Sequence, residues 1–233
     1  MNIRKIDTEN KSDVRRFIKF PFDLYKDNPY WVPPMMPDMK QALNRERHPF
    51  FKHSQADFFL AEEGKRVLGR IAAIDNQRYK EFTGQNTGFF YFFEVAEDIQ
   101  VARALFNTAF DWARAQGLEH IIGPKGLAQG DGLGLLVEGF KYKPAMGIPY
   151  NPKFYKHFIT DNGFEKSIDY LSGYFTTDYQ IPERIHKLAE RVQKRRGFKV
   201  KNFKSKDEVR EWIPKIREVY NQAFATVPTF IPI

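Results

Sequence analysis

The stretch 87-TGFFYFFEVAEDIQVARAL-105 decides the fold. Its first half, through 89-FFYFF-93, is aromatic and apolar enough to read as a strand over about 87–96, buried in the middle of a sheet. Its second half turns helical. Ala102, Leu105, Phe106, Ala109 and Ala113 share one face of a helix over 99–117, Asp98 stands at its N-cap, and Gly117 closes it. Two features do not follow from burial: a lone carboxylate, Glu94, within the strand, and an acidic helix start made by Glu97 and Asp98.

Upstream, 2–7 reads as a strand and 11–26 as a helix capped by Asn10 or Ser12. The prolines of 29-PYWVPPMMP-37 exclude regular structure and predict an extended loop with Trp31 packed inward, followed by a short helix near 38–46. Two apolar runs in 57-DFFLAEEGKRVLGRIAAID-75, joined at 62-EEGK-65, predict a hairpin. Downstream come a strand at 119-EHIIG-123 and a long Gly/Pro-rich loop over 124–150. A helix over 151-NPKFYKHFITDNG-163 follows, with Asn151 as cap and Pro152 at N1, then a strand over 164–177 and a charged helix over 181–196. The order β-α-α-β-β-β-α-β-α-β predicts an α/β (α+β) fold, a mixed sheet flanked by helices.

The absence of cysteine excludes disulfides and thiolate metal sites and fits a reducing, cytoplasmic compartment. The first 17 residues lack the apolar core of a signal peptide, and no run approaches the roughly 18 apolar residues that span a bilayer. No membrane association is expected. The net charge of +8 is local: residues 1–178 hold 24 Lys and Arg against 23 Asp and Glu, whereas 179–217 hold 13 against 5. That excess centres on 191-RVQKRRGFKVKNFKSK-206, which lacks an interleaved stacking platform and reads as a solvated helix face and linker before it reads as a nucleic-acid grip. His48 and His53, five apart with Pro49 between, do not share a helix face, and no metal site is expected. The loop 123-GPKGLAQGDGLGLLVEG-139 lacks Gly-Lys-Ser/Thr and reads as a substrate-side lid.

The element order, together with 29-PYWVPP-34, 48-HPFFKH-53, 67-VLGRIAAI-74, 123-GP-124, 139-GF-140, 150-YN-151 and 163-GF-164, resembles the GNAT superfamily of N-acyltransferases, and within it a little-characterised bacterial group. The resemblance covers about 1–178. It implies a largely antiparallel central sheet and acetyl-CoA or another acyl-CoA as co-substrate, with a small amine or amino-acid-like acceptor. It also implies that the pantetheine arm lies in a gap between the strands at 87–96 and 119–123, along Phe93 and Val95. The diphosphate would then meet the start of the next helix, at Gln100, Val101, Ala102 and Arg103. The family's loop there, Arg/Gln-x-x-Gly-x-Gly/Ala with an apolar residue three on, falls on Glu97, Gln100, Ala102 and Leu105. Ala102 and Leu105 fit it; Glu97 and Gln100 depart from it.

By the same resemblance Glu94 becomes the base that takes the ammonium proton, its pKa raised by surrounding Phe side chains, and Tyr155 the acid that protonates the leaving thiolate. Tyr150 is a second candidate acid, and Asn151 orients cofactor or substrate. Plainer roles stand beside these: Glu94 solvent-facing or paired with Arg70, Tyr155 a packed aromatic, Asn151 a helix cap. Two other functions fit the residues. One is a non-catalytic GNAT-like ligand-binding or assembly module. The other is aminoacyl transfer from tRNA, as in duplicated Fem-type enzymes, with 191–206 gripping RNA.

A shift of 195 residues lays Val14, Arg15, Phe17, Ile18, Leu24, Tyr25, Val32 and Pro33 on Val209, Arg210, Trp212, Ile213, Val219, Tyr220, Val227 and Pro228. This predicts a GNAT-like domain over 1–178, a basic connector over 179–197, and a second, incomplete GNAT-like repeat opening at 198. The chain would then be a piece of a longer protein. Its apolar tail, 223-AFATVPTFIPI-233, would need cover from a missing C-terminal half or a second copy in a homo-oligomer.

Overall fold

A computed structural model describes residues 1–197 and 199–233. Two compact units form, one from 1–166 with 225–233 and one from 167–224.

The first unit is built on a five-stranded sheet in sequence order: β1 (Asn2–Lys5), β2 (Gln55–Glu63), β3 (Arg66–Asp75), β4 (Thr87–Val95) and β5 (His120–Ile122). The first four strands pair antiparallel, and β5 joins β4 in parallel. This is the mixed, largely antiparallel sheet expected. Because β2, β3 and β4 are covered on both faces, their inward residues fall into two cores. One holds Phe59, Ile71, Phe90, Phe93 and Val95 under α4 (Ile99–Ala115) and α5 (Phe154–Thr160). The other holds Phe58, Leu60, Ala72, Ile74 and Phe89 under α1 (Lys11–Leu24) and α2 (Met36–Leu43). Two-sided burial explains why these strands read as continuous apolar runs.

Local signals set most helix ends. Asn10 accepts from Ser12 N and Asp13 N to open α1, and Asp98 opens α4. The sequence reading misses α3 (Gln77–Thr83), seven residues between an Asn76 cap and a left-handed Gly84, too short for a periodic pattern to register. The helix predicted over 151–163 begins only at Phe154. The strand predicted over 164–177 does not form: residues 165–176 carry no regular structure and are exposed. A strand needs a paired edge, and β5 offers three residues.

Near the β1–β2 edge, Asp57 receives Lys5 Nζ (2.8 Å), Arg45 Nη2 (2.8 Å) and Trp112 Nε1 (2.9 Å). Burial pushes this carboxyl up, but the partners outweigh it and hold it below the usual range. A depressed folded-state pKa gives stability that is present above the unfolded value and lost as pH falls through the folded one. Urea midpoints for Asp57→Asn should therefore lie below wild type near neutrality and converge with it below about pH 4. A constant gap down to pH 3 would refute the assignment.

In the second unit, α6 (Glu183–Arg196) and α7 (Lys206–Phe224) are both amphipathic and leave Ile185, Leu188, Ile213 and Ile216 exposed. The 195-residue shift carries the start of α1 onto the start of α7, while the boundary expected at 198 falls on Phe198, outside the described residues. Phe203 packs edge-on against Trp212, with Lys201 and Lys215 over the indole. Of the apolar tail, Phe230 and Ile231 are buried in the first unit, Phe230 edge-on to Phe82 and Ile231 N bonded to Gln129 Oε1. Part of the cover expected from elsewhere thus comes from the unit itself. Among the described residues no helix is long and apolar enough to cross a membrane, and no group of three or more His, Cys, Asp or Glu could hold a metal ion.

Candidate functional site

The site begins with an irregularity in β4. Its register with β3 runs regularly from Asp75–Gly88 to Ala72–Tyr91, then slips so that Arg70 faces Glu94. The extra residue is a β-bulge, with Phe92 in the left-handed region at φ 50°. A bulky residue there costs about 1–2 kcal/mol, so neighbouring contacts must hold it. They do: Phe92 packs edge-on against Phe17 and lies against the Arg70 guanidinium.

Arg70 is buried (1% exposed), and its charge is fully engaged. Nε donates to Glu94 Oε2 at 2.6 Å and Nη1 to Phe17 O at 2.7 Å, with the guanidinium between the Phe17 and Phe92 rings at 4.8 and 5.0 Å. Glu94 is therefore no lone carboxylate among Phe side chains. Its pairing with Arg70, one of the two plainer roles, is what the structure contains. The Glu94 side chain keeps 20% exposure, and Arg70 takes only one of its two oxygens.

On its other edge β4 loses its neighbour before the bulge is reached. Strands β4 and β5 pair only at Thr87–His120, Gly88–Ile121 and Phe89–Ile122. The chain then crosses at Gly123, where a Cβ would stand 2.6 Å from Phe90 O, so only glycine permits the approach. Lys125 N bonds Phe90 O at 2.9 Å, and the rest of the β4 edge is left without a strand. Tyr155 of α5 fills that gap. Its hydroxyl accepts from Val95 N at 2.7 Å and donates to Val95 O at 3.1 Å, while the Tyr25 hydroxyl approaches at 3.5 Å. Burial pushes the Tyr155 phenol well up, and the Glu94 charge adds to it, so the proton stays on oxygen.

The start of α4 is equally committed. Asp98 Oδ1 accepts from Gln100 N at 2.8 Å and Val101 N at 3.4 Å, and Asp98 O accepts from Ala102 N. Glu97, Gln100 and Arg103 are exposed, whereas Val101 and Ala102 are buried. The donors that a CoA diphosphate would need are held by an intramolecular carboxylate, with a second carboxylate beside it. As they stand, these residues do not fit a diphosphate. Replacing Asp98 by Ala should cost about 1 kcal/mol of stability through the lost cap, read from thermal or urea unfolding. An unchanged midpoint would mean that the cap is not formed in solution.

The remaining predicted residues separate into two places. Phe93 is buried, stacked on Phe106 at 4.5 Å and against Tyr155 at 5.2 Å, and so joins Glu94, Val95 and Tyr155. Tyr150 and Asn151 belong instead to the long loop. Tyr150 donates to Phe140 O at 3.0 Å, and buried Asn151 accepts from Leu136 N at 2.8 Å while donating to Leu136 O and Pro152 O. Asn151 therefore does not cap a helix, because its side chain is used to clamp the loop. Sequence reasoning missed Tyr25, Tyr91 and Asn76. Asn76 Nδ2 donates to Leu127 O from a buried position, and its place before a helix was the one available signal.

Residues 19–123 match the acetyltransferase (GNAT) family model. The chain is 31% identical over 224 residues to Protein YghO of Escherichia coli strain K12, covering 96% of this chain and 56% of that protein. It is 32% identical over 191 residues to a bacterial ceramide synthase of Caulobacter vibrioides, covering 82% and 49%. The chain thus spans about half the length of the curated relatives it matches. Among solved structures, it resembles an aminoglycoside acetyltransferase from an uncultured soil metagenomic sample, in complex with sisomicin. That match has a TM-score of 0.46 at 10% identity, covering 76% of this chain and 96% of that one.

Proposed function

We infer that this chain, whose residues 19–123 belong to the GNAT family of acetyltransferases, serves acyl transfer to an amine, with Glu94 as the group that takes the ammonium proton. The observation that carries this reading is the fixed carboxylate. Arg70 holds Glu94 Oε2 at 2.6 Å on a partly exposed side chain, which leaves Oε1 available. An amine acceptor is protonated near neutral pH and must lose a proton before its lone pair can attack an acyl carbon. Oε1 receives that proton, the freed amine attacks the acyl carbon, the C–N bond forms as the donor's thioester C–S bond breaks, and a second N–H proton passes to the departing thiolate, while Arg70 prevents the carboxylate from turning away. The Tyr155 hydroxyl, committed to both polar groups of Val95, acts as a positioning residue that fixes β4 next to Glu94. Tyr150 and Asn151 shape the loop wall.

The family typically draws its acyl group from acyl-CoA, and acetyl-CoA or a longer homologue is the donor proposed, on condition that Asp98 gives up Gln100 N and Val101 N when the diphosphate binds. The acceptor class is an amine or amino-acid-like compound. Likeness to a protein named ceramide synthase favours N-acylation of a long-chain amine, since a ceramide is such an amide. A second reading is supported by Asp98: a GNAT unit whose diphosphate donors are self-capped, working as a non-catalytic binding or assembly unit of a larger acyltransferase. The match of α1 with α7 under the 195-residue shift supports the larger, duplicated arrangement.

Calorimetric titration of the full chain and its Asp98→Ala variant with acetyl-CoA, a long-chain acyl-CoA and tRNA separates these readings. Acyl-CoA binding by wild type, or its appearance once Asp98 is removed, supports a donor site in this unit. No acyl-CoA binding by either protein overturns that site and leaves the binding-unit reading. Steeply salt-dependent tRNA binding without acyl-CoA binding would favour aminoacyl transfer.

A further inference from the structure

On the same face of the sheet as Glu94, the long loop carries a lysine that the mechanism does not use. Lys125 is 3% exposed, and its backbone is fixed by the bond from its N–H to Phe90 O and by a bridge to Leu133. Among the described residues its ammonium makes no hydrogen bond and no ion pair. Its contact is the Phe89 ring, 5.9 Å from Nζ. Asp131 acts on it only through its field, and that carboxylate already accepts from Ala128 N at 2.8 Å while folding over Gly126. Among the described residues the fully sealed side-chain atom without a hydrogen bond is Asp75 Oδ1, which has Lys80 Nζ at 3.7 Å; Lys125 Nζ is not sealed in this way, so the ammonium keeps an opening.

An ammonium almost enclosed by protein and left without an acceptor is costly, and burial accordingly pushes Lys125 down from the ordinary lysine range. Tyr91 lies between the two ends of this face. Its phenol is pushed up to about 12 by burial, with the charges of both Asp131 and Glu94 acting on it. A Cβ on Gly132 would meet its hydroxyl at 2.8 Å. Glu94 follows Phe90, the residue that Lys125 bonds, by about 10 Å of bulged strand, which two long side chains can close around a small molecule.

We propose that Lys125 anchors an acidic group, a carboxylate or phosphate, on the amine whose ammonium faces Glu94. This rests on the acyl-acceptor reading above and narrows it to an acceptor carrying both charges. The ammonium of Lys125 supplies a point charge for either oxyacid, and Tyr91 fills the wall between the two ends.

The test uses the full chain, wild type and Lys125→Met, titrated calorimetrically with serine, phosphoethanolamine and ethanolamine. Thermal unfolding serves as the folding control. Serine or phosphoethanolamine should bind wild type more tightly than ethanolamine does. Lys125→Met should weaken that binding at least about tenfold, leave ethanolamine unaffected, and unfold no earlier than wild type. Lys125→Arg should retain the preference, which guards against a variant that misfolds. Equal binding of all three amines, an unchanged preference in Lys125→Met, or no binding by either acidic probe overturns the anchor. Preference without any amine acylation would keep the anchor and remove the acyltransfer reading. Acylation of ethanolamine and serine at equal rates, indifferent to Lys125, would do the reverse. Whichever acidic probe binds distinguishes a carboxylate from a phosphate source.

Discussion

Tyr155→Phe should lower the free energy of unfolding by roughly 2–4 kcal/mol, far more than the loss of one hydroxyl from a surface. The reason lies in the strand, not the ring. Past Gly123, among the described residues, no strand pairs the outer edge of β4, and Val95, wholly buried, would have an N–H and a C=O facing protein without a partner. One hydroxyl satisfies both, at 2.7 and 3.1 Å. Phenylalanine keeps the packing against Phe93 and Phe154 but orphans two buried backbone groups, each of which costs its desolvation. Urea unfolding with an unchanged slope should show the drop as a shifted midpoint. Tyr25→Phe is the control. Its hydroxyl only approaches Tyr155, at 3.5 Å, so its loss should cost about 1 kcal/mol or less. Equal costs for the two variants would remove Tyr155 from its role as a surrogate strand.

How much of this was legible depends on whether the deciding interaction is local. The α4 helix is written in its own residues: a capping Asp98, an apolar face at helical spacing, and a left-handed Gly117. The hairpin of β2 and β3 is equally local, and β4 is apolar enough to demand the centre of a sheet. The bulge is not legible. Nothing in 89-FFYFF-93 distinguishes Phe92 from its neighbours, and its conformation is imposed by Phe17 and Arg70 from other elements. Without the bulge the register of Glu94 cannot be counted, so Arg70 could be named only as one possible partner. Asn151 misled for a related reason. Asn-Pro ahead of an amphipathic run is a helix start, yet the side chain was claimed by Leu136, fifteen residues earlier. The run 164–177 carries strand-favouring aromatic and β-branched residues, but composition does not create an edge to pair with.

Glu94→Gln should reduce amine acylation by about 10²–10⁴-fold, measured as thiol release from an acyl-CoA in the presence of an amine. The substitution preserves shape and leaves an amide oxygen able to accept from Arg70, so the lost ability is proton uptake. It also leaves the buried guanidinium without its counter-charge, held by neutral groups alone (the Gln oxygen, Phe17 O and two rings), which should cost roughly 1–3 kcal/mol of stability. A fall in activity could therefore come from a loosened strand instead of a missing base. The double variant Arg70→Met with Glu94→Gln separates the causes. Removing both charges should recover part of the stability, because the penalty belongs to the unpaired charge and not to the site. A base role predicts that activity stays lost in the recovered protein. Full activity in Glu94→Gln, or its return with stability in the double variant, would make Glu94 a structural partner of Arg70. The reading of the unit as a non-catalytic binding module would then stand in place of the base role.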